Sequence, residues 1–393
     1  MNNKENLIKY LKILLGTYIV IGLIALLNSA LIFDLSLNAM AITGIFSVCT
    51  FGYGIFIRNR KYITAAIGVA IIYVLLAIFF SPLISYKEHR NLIGNIEEVD
   101  FSSQIEYMDI NQLPIIDEEL ANKLADKKLG EISSLGSQVT VGELDLQSVN
   151  GQLYYVGPLE HSSFLKWLTN REGTIGYIKV SATNQNDVQL VTKLGEKDIK
   201  LKYLNSAYIL SDLNRAAYFR DMKAGHTDFT FELDDSGRPY WVITRYDTGI
   251  GITEAKAVGA LIMDAQTGES NVYDINNLPS WVDRIQPMKY IDRYINKWGE
   301  LVHGVLNFTD KDKLKSTGGM NIIYNKEKCY YYTGITSVGS DESLVGFTLT
   351  NTRTGETKLY KTSGATEEAS MKSAEGKVQQ YNVIDNEVLN LII

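Results

Sequence analysis

Hydrophobic and polar positions divide the chain into two regimes. The first carries three apolar runs, ILLGTYIVIGLIALLNSALIF (13–33), AMAITGIFSVCTFGYGIFI (39–57) and YITAAIGVAIIYVLLAIFFSPLI (62–84), none with an Asp, Glu, Lys or Arg. A helix rises about 1.5 Å per residue, so each run is long enough for a hydrocarbon core of about 30 Å. The pattern therefore predicts three transmembrane helices over residues 1–85. Lys4, Lys9 and Lys12 precede the first run, and Arg58, Arg60 and Lys61 separate the second from the third. The excess of cations on the inner side of a membrane then predicts a cytoplasmic N-terminus and an extracytoplasmic chain after about residue 85. Thr50 with Gly54, and Ala66 with Ala70, are small residues four apart that let helices approach closely.

Beyond residue 85 the periods shorten and alternate. Residues 86–113 read as a polar connection. Asp117 followed by Glu118 and Glu119, with Lys127 and Lys128 before Gly130, predicts a capped helix over 117–129 with an apolar stripe of Ile116, Leu120 and Leu124. Strand patterns follow at 151–160 and on both sides of the turn Asn184–Asp187. A second helix is predicted from Ser211 to Gly225, and then a hairpin over 229–246 about Asp234-Asp235-Ser236-Gly237. A third helix starts at Pro287, with Met288, Ile291, Ile295, Trp298 and Val302 at helical spacing. Strands are expected at 321–325 and 329–335, and a fourth helix at 366–380.

Two segments repeat. VGALIMDAQTGESNVYD (258–274) and VGFTLTNTRTGETKLYK (345–361) share Val-Gly, Thr-Gly-Glu and Tyr at matching places, and GYIKVSATNQNDVQLV (176–191) is a degenerate third copy. Gly176, Gly259 and Gly346 mark equivalent strand starts, and Thr267-Gly268 and Thr354-Gly355 are equivalent hairpin tips. The expected fold class is α+β: three N-terminal transmembrane helices, then tandem helix-plus-antiparallel-sheet units. The expected organisation is an anchor at 1–85, a connection at 86–113, units at 114–205, 206–280 and 281–363, and a C-terminal helix at 364–393 that either begins an incomplete fourth unit or packs on the third.

The Thr-Gly-Glu hairpin, Ala260 to Glu269 and more weakly Phe347 to Glu356, preceded by an aromatic strand and a helix, resembles the PepSY domain family. That resemblance implies small units of PepSY/cystatin-like build, often outside the membrane, some of them peptidase inhibitors or propeptides. The insertion GITEAK (251–256) departs from the compact family pattern. An anchor followed by repeats also resembles bacterial membrane-anchored surface proteins.

Charge follows the two regimes. Residues 1–90 balance at +5 and residues 91–393 at −12. The acidic body argues against nucleic acid as a partner. Cys49 and Cys329 are the only cysteines, so residues after 85 hold no internal disulfide and no CxxC metal site. The four histidines, His89, His161, His226 and His303, have no metal-ligand spacing. Glu160-His161-Ser162-Ser163 brings acid, base and hydroxyl together, yet strand neighbours face opposite sides, so a surface or capping role is expected for His161. His226 sits at a helix end, and Asp234–Gly237 is a turn without the spacing of an EF-hand loop. No Walker A, GxGxxG or GxSxG motif occurs. The expectation is no catalytic residue, cofactor or metal.

Aromatic residues are the remaining resource. Tyr154, Tyr240, Trp241 and Tyr331 lie in paired or tripled aromatic strand positions and are the candidate binding surface for an extended peptide or a glycan, alongside the alternative that both rings of each pair are packed. The expected function is a non-catalytic, membrane-anchored extracytoplasmic binding or scaffold protein that modulates a peptidase or an envelope complex. Its expected partners are the membrane, as an integral protein, and a protein or peptide outside the cell. Two alternatives stand beside it: an accessory subunit of a larger membrane machine, and an envelope enzyme with a dispersed site.

Overall fold

The computed structural model describes residues 37–100, 114–132, 136–250, 254–325, 328–339 and 343–366, with three isolated positions before residue 17. The apolar run 13–33 and the predicted helix 366–380 lie outside the described residues, Gly16 and Thr366 excepted.

The second and third apolar runs form helices α1 (Leu37–Phe56) and α2 (Arg60–Phe79), folded back on each other. Asn59 caps α2 by accepting the Lys61 N–H at 3.0 Å. Gly54 lets the helices touch: a Cβ there would lie 2.9 Å from Ile63 Cγ1. Thr50 and Ala66 are buried, whereas Val48, Phe56 and Leu75 are exposed. Among the described residues, no helix is long and apolar enough to cross a membrane. This corrects the expectation of three transmembrane helices, and with it the membrane-anchored fold class. An absence of charge in a run reports apolar content, and does not by itself fix where a helix ends or what surrounds it.

The chain from α2 runs directly into α3 (Pro82–Arg90) and a 3-10 turn at Asn91–Ile93, then strand β1 (Glu97–Asp100). Residues 86–100 of the stretch read as an irregular connection are thus built into the body, and 101–113 lie outside the described residues. Arg90 Nε donates to the Trp298 carbonyl at 3.1 Å. His89 is buried, with Nδ1 2.9 Å from the Ser85 carbonyl oxygen and Nε2 3.9 Å from the Glu254 carboxylate, which also pairs with Lys297.

Three units follow, each a helix and an antiparallel meander. The first has α4 (Glu118–Gly130), a short β2 (Val139–Val141), β3 (Asp145–Val149), β4 (Gln152–His161), α5 (Phe164–Thr169), β5 (Tyr177–Ser181) and β6 (Val188–Val191). A two-stranded hairpin, β7 (Lys193–Leu194) and β8 (Lys197–Asp198), leads to the second unit. That unit has α6 (Leu213–Arg220), β9 (Gly225–Leu233), β10 (Pro239–Ile250), β11 (Glu254–Asp264) and β12 (Ser270–Asp274). The third has α7 (Met288–Glu300), β13 (Leu314–Ser316), β14 (Asn321–Asn325), β15 (Lys328–Ser337), β16 (Ser343–Asn351) and β17 (Thr357–Ala365). Strand β1 joins the third sheet, parallel to β17.

The units repeat bond for bond. Before each helix, two consecutive N–H groups donate to one carbonyl at the turn of the last hairpin: Ile115 and Ile116 to Ala182, Lys202 and Tyr203 to Ala265, Ile285 and Gln286 to Thr352. At each turn one side-chain oxygen accepts two N–H groups: Ser181 from Thr183 and Asn184, Asp264 from Gln266 and Thr267, Asn351 from Arg353 and Thr354. Thr267-Gly268 and Thr354-Gly355 therefore occupy the same turn, in which Gly268 and Gly355 have φ of 75° and 77°.

Local differences from the sequence reading have packing causes. Helix α4 rests on Ala121 and Ala125, and Leu120 is left exposed, because small side chains let the helix sit close to its sheet. Asp212, not Ser211, caps α6, and Gly225 opens β9 instead of closing a helix, since the Tyr246 ring fills the space its side chain would need. Helix α7 buries Tyr290, Ile291, Tyr294 and Ile295 against the third sheet.

Candidate functional site

The three units are not strung apart. Tyr324 and Cys329 of the third unit lie in the core of the first, and the other face of the first sheet shares a core with the second unit, from Tyr154 and Val156 to Phe231 and Trp241. Polar side chains stitch the junction. Asp145 on β3 accepts the Phe231 N–H at 2.8 Å and pairs with Arg284 at 3.0 Å. Gln147 accepts the Leu233 N–H at 2.9 Å and donates to its carbonyl at 2.7 Å. Asp283 accepts the Ser148 N–H at 2.7 Å and the Tyr324 hydroxyl at 3.1 Å. Glu232 accepts the Asp283 N–H at 3.2 Å and the Thr230 hydroxyl at 2.8 Å. Side chains here replace the backbone ladder that two facing strand edges would otherwise share.

A cavity of about 370 Å³ opens at this junction, lined by Glu143, Asp145, Asn205, Asp228, Thr230, Arg284 and Tyr331 among others. Asp228 is the extra residue of a β-bulge in β9, with φ 52°. Burial lifts three carboxyls in or behind the cavity wall. Asp145 rises to about 6 against the pull of Arg284. Glu232 rises to about 8, with the Asp283 charge adding to burial. Asp283 rises to about 6 against its Ser148 and Tyr324 bonds. Each accepts a hydrogen bond from the backbone of another segment, so these acids hold the units together.

This arrangement sets a pH dependence. All three folded pKa values lie above their ordinary values of 3.8 or 4.5. The folded state then binds more protons than the unfolded state between those limits, and stability from these groups is full below about pH 4 and lost as pH rises toward about 8. Glu232→Gln should raise the thermal midpoint at pH 8 by several degrees, leave it nearly unchanged at pH 4, and flatten the slope between pH 6 and 8. A midpoint at pH 8 equal to or below wild type would contradict the assignment.

A second, smaller cleft of about 210 Å³ lies on the outer face of the second sheet, lined by Arg238, Tyr240, Ile262, Asp264, Glu269, Asn271, Tyr273, Pro279 and Trp281. Tyr240 stacks on Trp281 with ring centroids 5.2 Å apart and planes 29° from parallel. Arg238 crosses to Asp264 at 2.5 Å and lies 5.8 Å from the Tyr240 ring. The cleft thus combines an aromatic floor with amide, carboxylate and guanidinium groups.

The structure separates the four aromatic candidates. Tyr154, Trp241 and Tyr331 are buried, which corrects their assignment to a binding surface. The Trp241 indole donates to the Tyr203 carbonyl at 2.7 Å and the Tyr331 hydroxyl to the Gln286 carbonyl at 2.8 Å. Tyr154 donates to Gln152 at 2.8 Å. Tyr155, the neighbour of Tyr154, is buried as well, whereas Tyr240 beside Trp241, and Tyr330 and Tyr332 beside Tyr331, are half-buried. Tyr240 lines the smaller cleft, and Tyr331, though buried, borders the junction cavity. Trp281, the partner of Tyr240, and the junction residues Asp145, Glu232, Asp283 and Arg284 were not singled out from sequence. The alternation of charge with aliphatic residues in Glu143–Val149 carries the signal for Asp145, and Trp281 stands in no repeat.

The hairpin tips are structural. The Thr267 and Thr354 hydroxyls accept the Glu269 and Glu356 N–H groups, each at 3.2 Å. Gly268 abuts Tyr203 and Arg220, where Arg220 Nε donates to the Gly268 carbonyl at 2.6 Å. His161 is buried at the end of β4, which corrects the expected surface role; its N–H donates to Ser206 Oγ at 2.8 Å, and burial lowers its pKa. His226 Nε2 lies 3.5 Å from the Asp221 carboxylate, which Arg245 holds at 2.5 Å. Asp234 ties its own turn through the Ser236 and Arg238 N–H groups. Among the described residues, no group of three or more His, Cys, Asp or Glu is placed to hold a metal ion.

No family model matches the chain, and no curated protein matches it. Among solved structures, a thermostable family-43 glycoside hydrolase aligns over 56% of this chain and 54% of its own length, at 14% identity and a TM-score of 0.19. The chain therefore spans about half of that protein, at a similarity too low to transfer a fold.

Proposed function

We propose that the chain is a non-catalytic binding or scaffold protein whose contact site is the Tyr240–Trp281 cleft. The observation that carries this reading is the stacked, partly open aromatic pair set among Asn271, Glu269 and the Arg238–Asp264 pair. Aromatic faces supply contact area at low entropic cost, and the polar rim supplies orientation. The carboxyls with the largest shifts are engaged in holding the units together, which also favours binding over acid–base chemistry.

The test uses the full chain, titrated with soluble oligosaccharides and with short peptides while tryptophan fluorescence is followed. A saturable ligand is expected whose affinity falls roughly tenfold or more in Trp281→Ala and is largely kept in Trp281→Tyr. Binding indifferent to Trp281→Ala, or conversion of the bound compound to product, would defeat the reading.

A further inference from the structure

The third unit shows what its outermost strand accepts. Strand β17 pairs in parallel with β1: Glu97 faces Lys358, Glu98 faces Leu359, Val99 faces Tyr360 and Asp100 faces Lys361. Glu97 and Glu98 form ion pairs with Lys358 and Lys361 at 3.2 Å and 2.5 Å, and Val99 is buried.

Strand β12 is the same strand one unit earlier. Its register on β11 sets Asn271, Val272, Tyr273 and Asp274 opposite Ile262, Leu261, Ala260 and Gly259. On β17, Lys358, Leu359, Tyr360 and Lys361 stand opposite Leu349, Thr348, Phe347 and Gly346 in the same order. Yet among the described residues β12 ends its sheet, hydrogen-bonded to β11 alone, and Val272 on it is 48% exposed. It carries none of the lysines or prolines that protect open edges. Two of its side chains, Asn271 and Tyr273, also line the cleft.

We propose that the outer edge of β12 receives an extended segment of a partner protein, parallel to β12 as β1 is to β17. This rests on the reading of the cleft as a contact site and names what fills it. The occupant's chemistry follows from the substitutions between the copies. Where β17 sets Lys361 beside Asp100 in register, and in an ion pair with Glu98 of the same strand, β12 sets Asp274, so the incoming residue beside it is Lys or Arg. The residue beside Tyr273 takes the position of Val99 and is apolar, and its side chain enters the cleft. The residue beside Val272 is apolar and covers it. Main-chain bonds supply affinity, and alternate side chains supply selectivity.

The experiment titrates the full chain with the capped peptide Gly-Ser-Ser-Val-Val-Lys-Ser-Gly. Three controls accompany it: the same peptide N-methylated at both valines, a version with Glu in place of Lys, and an unrelated oligosaccharide series. Saturable binding of the first peptide is expected, lost on N-methylation. Asp274→Lys, an exposed change, should weaken the Lys peptide roughly tenfold and favour the Glu peptide instead. No binding of the Lys peptide, equal binding of the N-methylated peptide, or no exchange of preference in Asp274→Lys would overturn the proposal. An oligosaccharide that binds through Trp281 while the peptide does not would leave the contact site standing and remove the strand partner. Binding of neither would remove both.

Discussion

Alanine at Gly259 should destabilise the chain by about 3 kcal/mol or more, the cost of forcing backbone out of place in a packed sheet. A Cβ there would stand 2.0 Å from the Tyr273 carbonyl oxygen. That oxygen belongs to the neighbouring strand, so neither side can yield without opening the β11–β12 ladder. The same contact recurs in the other units, at 2.0 Å between Gly176 and the Val191 oxygen and at 2.3 Å between Gly346 and the Tyr360 oxygen. Gly176→Ala and Gly346→Ala should therefore be of similar severity. Gly130→Ala is the control: nothing lies within 4 Å of its Cβ, and alanine suits a helix end, so it should be neutral or slightly stabilising. Urea unfolding midpoints compare the four. A wild-type midpoint for Gly259→Ala would mean that the strands do not approach as described.

Arg284→Met should cost roughly 3–5 kcal/mol at pH 8. The guanidinium is the cation of the junction, 3.0 Å from Asp145, and the two side chains are only 13% and 12% exposed. Its removal leaves Asp145 facing Glu143 and Asp228 across a poorly solvated cavity. Asp145→Asn in the same chain should recover most of the loss, because it removes the charge that has lost its partner. The loss should also shrink below about pH 5, where Asp145, already lifted to about 6, is protonated. A deficit that neither pH nor Asp145→Asn alters would point to lost packing in place of lost charge.

Much of the local structure was legible because its causes are local. Asp117, the lysines at 127 and 128, Pro287 and the Asp234–Gly237 turn act within a few residues of themselves, and each places its element close to where the pattern predicted. The repeat was legible for a related reason. A strand that approaches its neighbour too closely for any Cβ needs glycine, and a turn in which one side chain gathers two N–H groups needs Ser, Asp or Asn. Such requirements leave residue-level traces at Gly176, Gly259 and Gly346 and at Ser181, Asp264 and Asn351.

What lies against a face leaves no such trace. Tyr154, Trp241 and Tyr331 alternate as strand residues do, but alternation states only that two faces differ, not that both are covered. The apolar runs at 39–57 and 62–84 form helices but not the expected membrane spans; how they end and pair belongs to contacts with Gly54, Ile63 and the α3 docking site on α7. The junction is the extreme case. Asp145, Glu232, Asp283 and Arg284 come from three separate stretches of chain, and each alone reads as an ordinary surface charge. By itself the sequence determined the helices, the turns and the recurrence of one unit. The tertiary structure decided which units touch, and hence which charges are buried, which aromatics are closed off, and that Tyr240 meets Trp281 in a cleft. The physical reason is range: capping and turn bonds act over a few residues, whereas burial depends on residues more than a hundred positions away, as with Ser148 and Asp283.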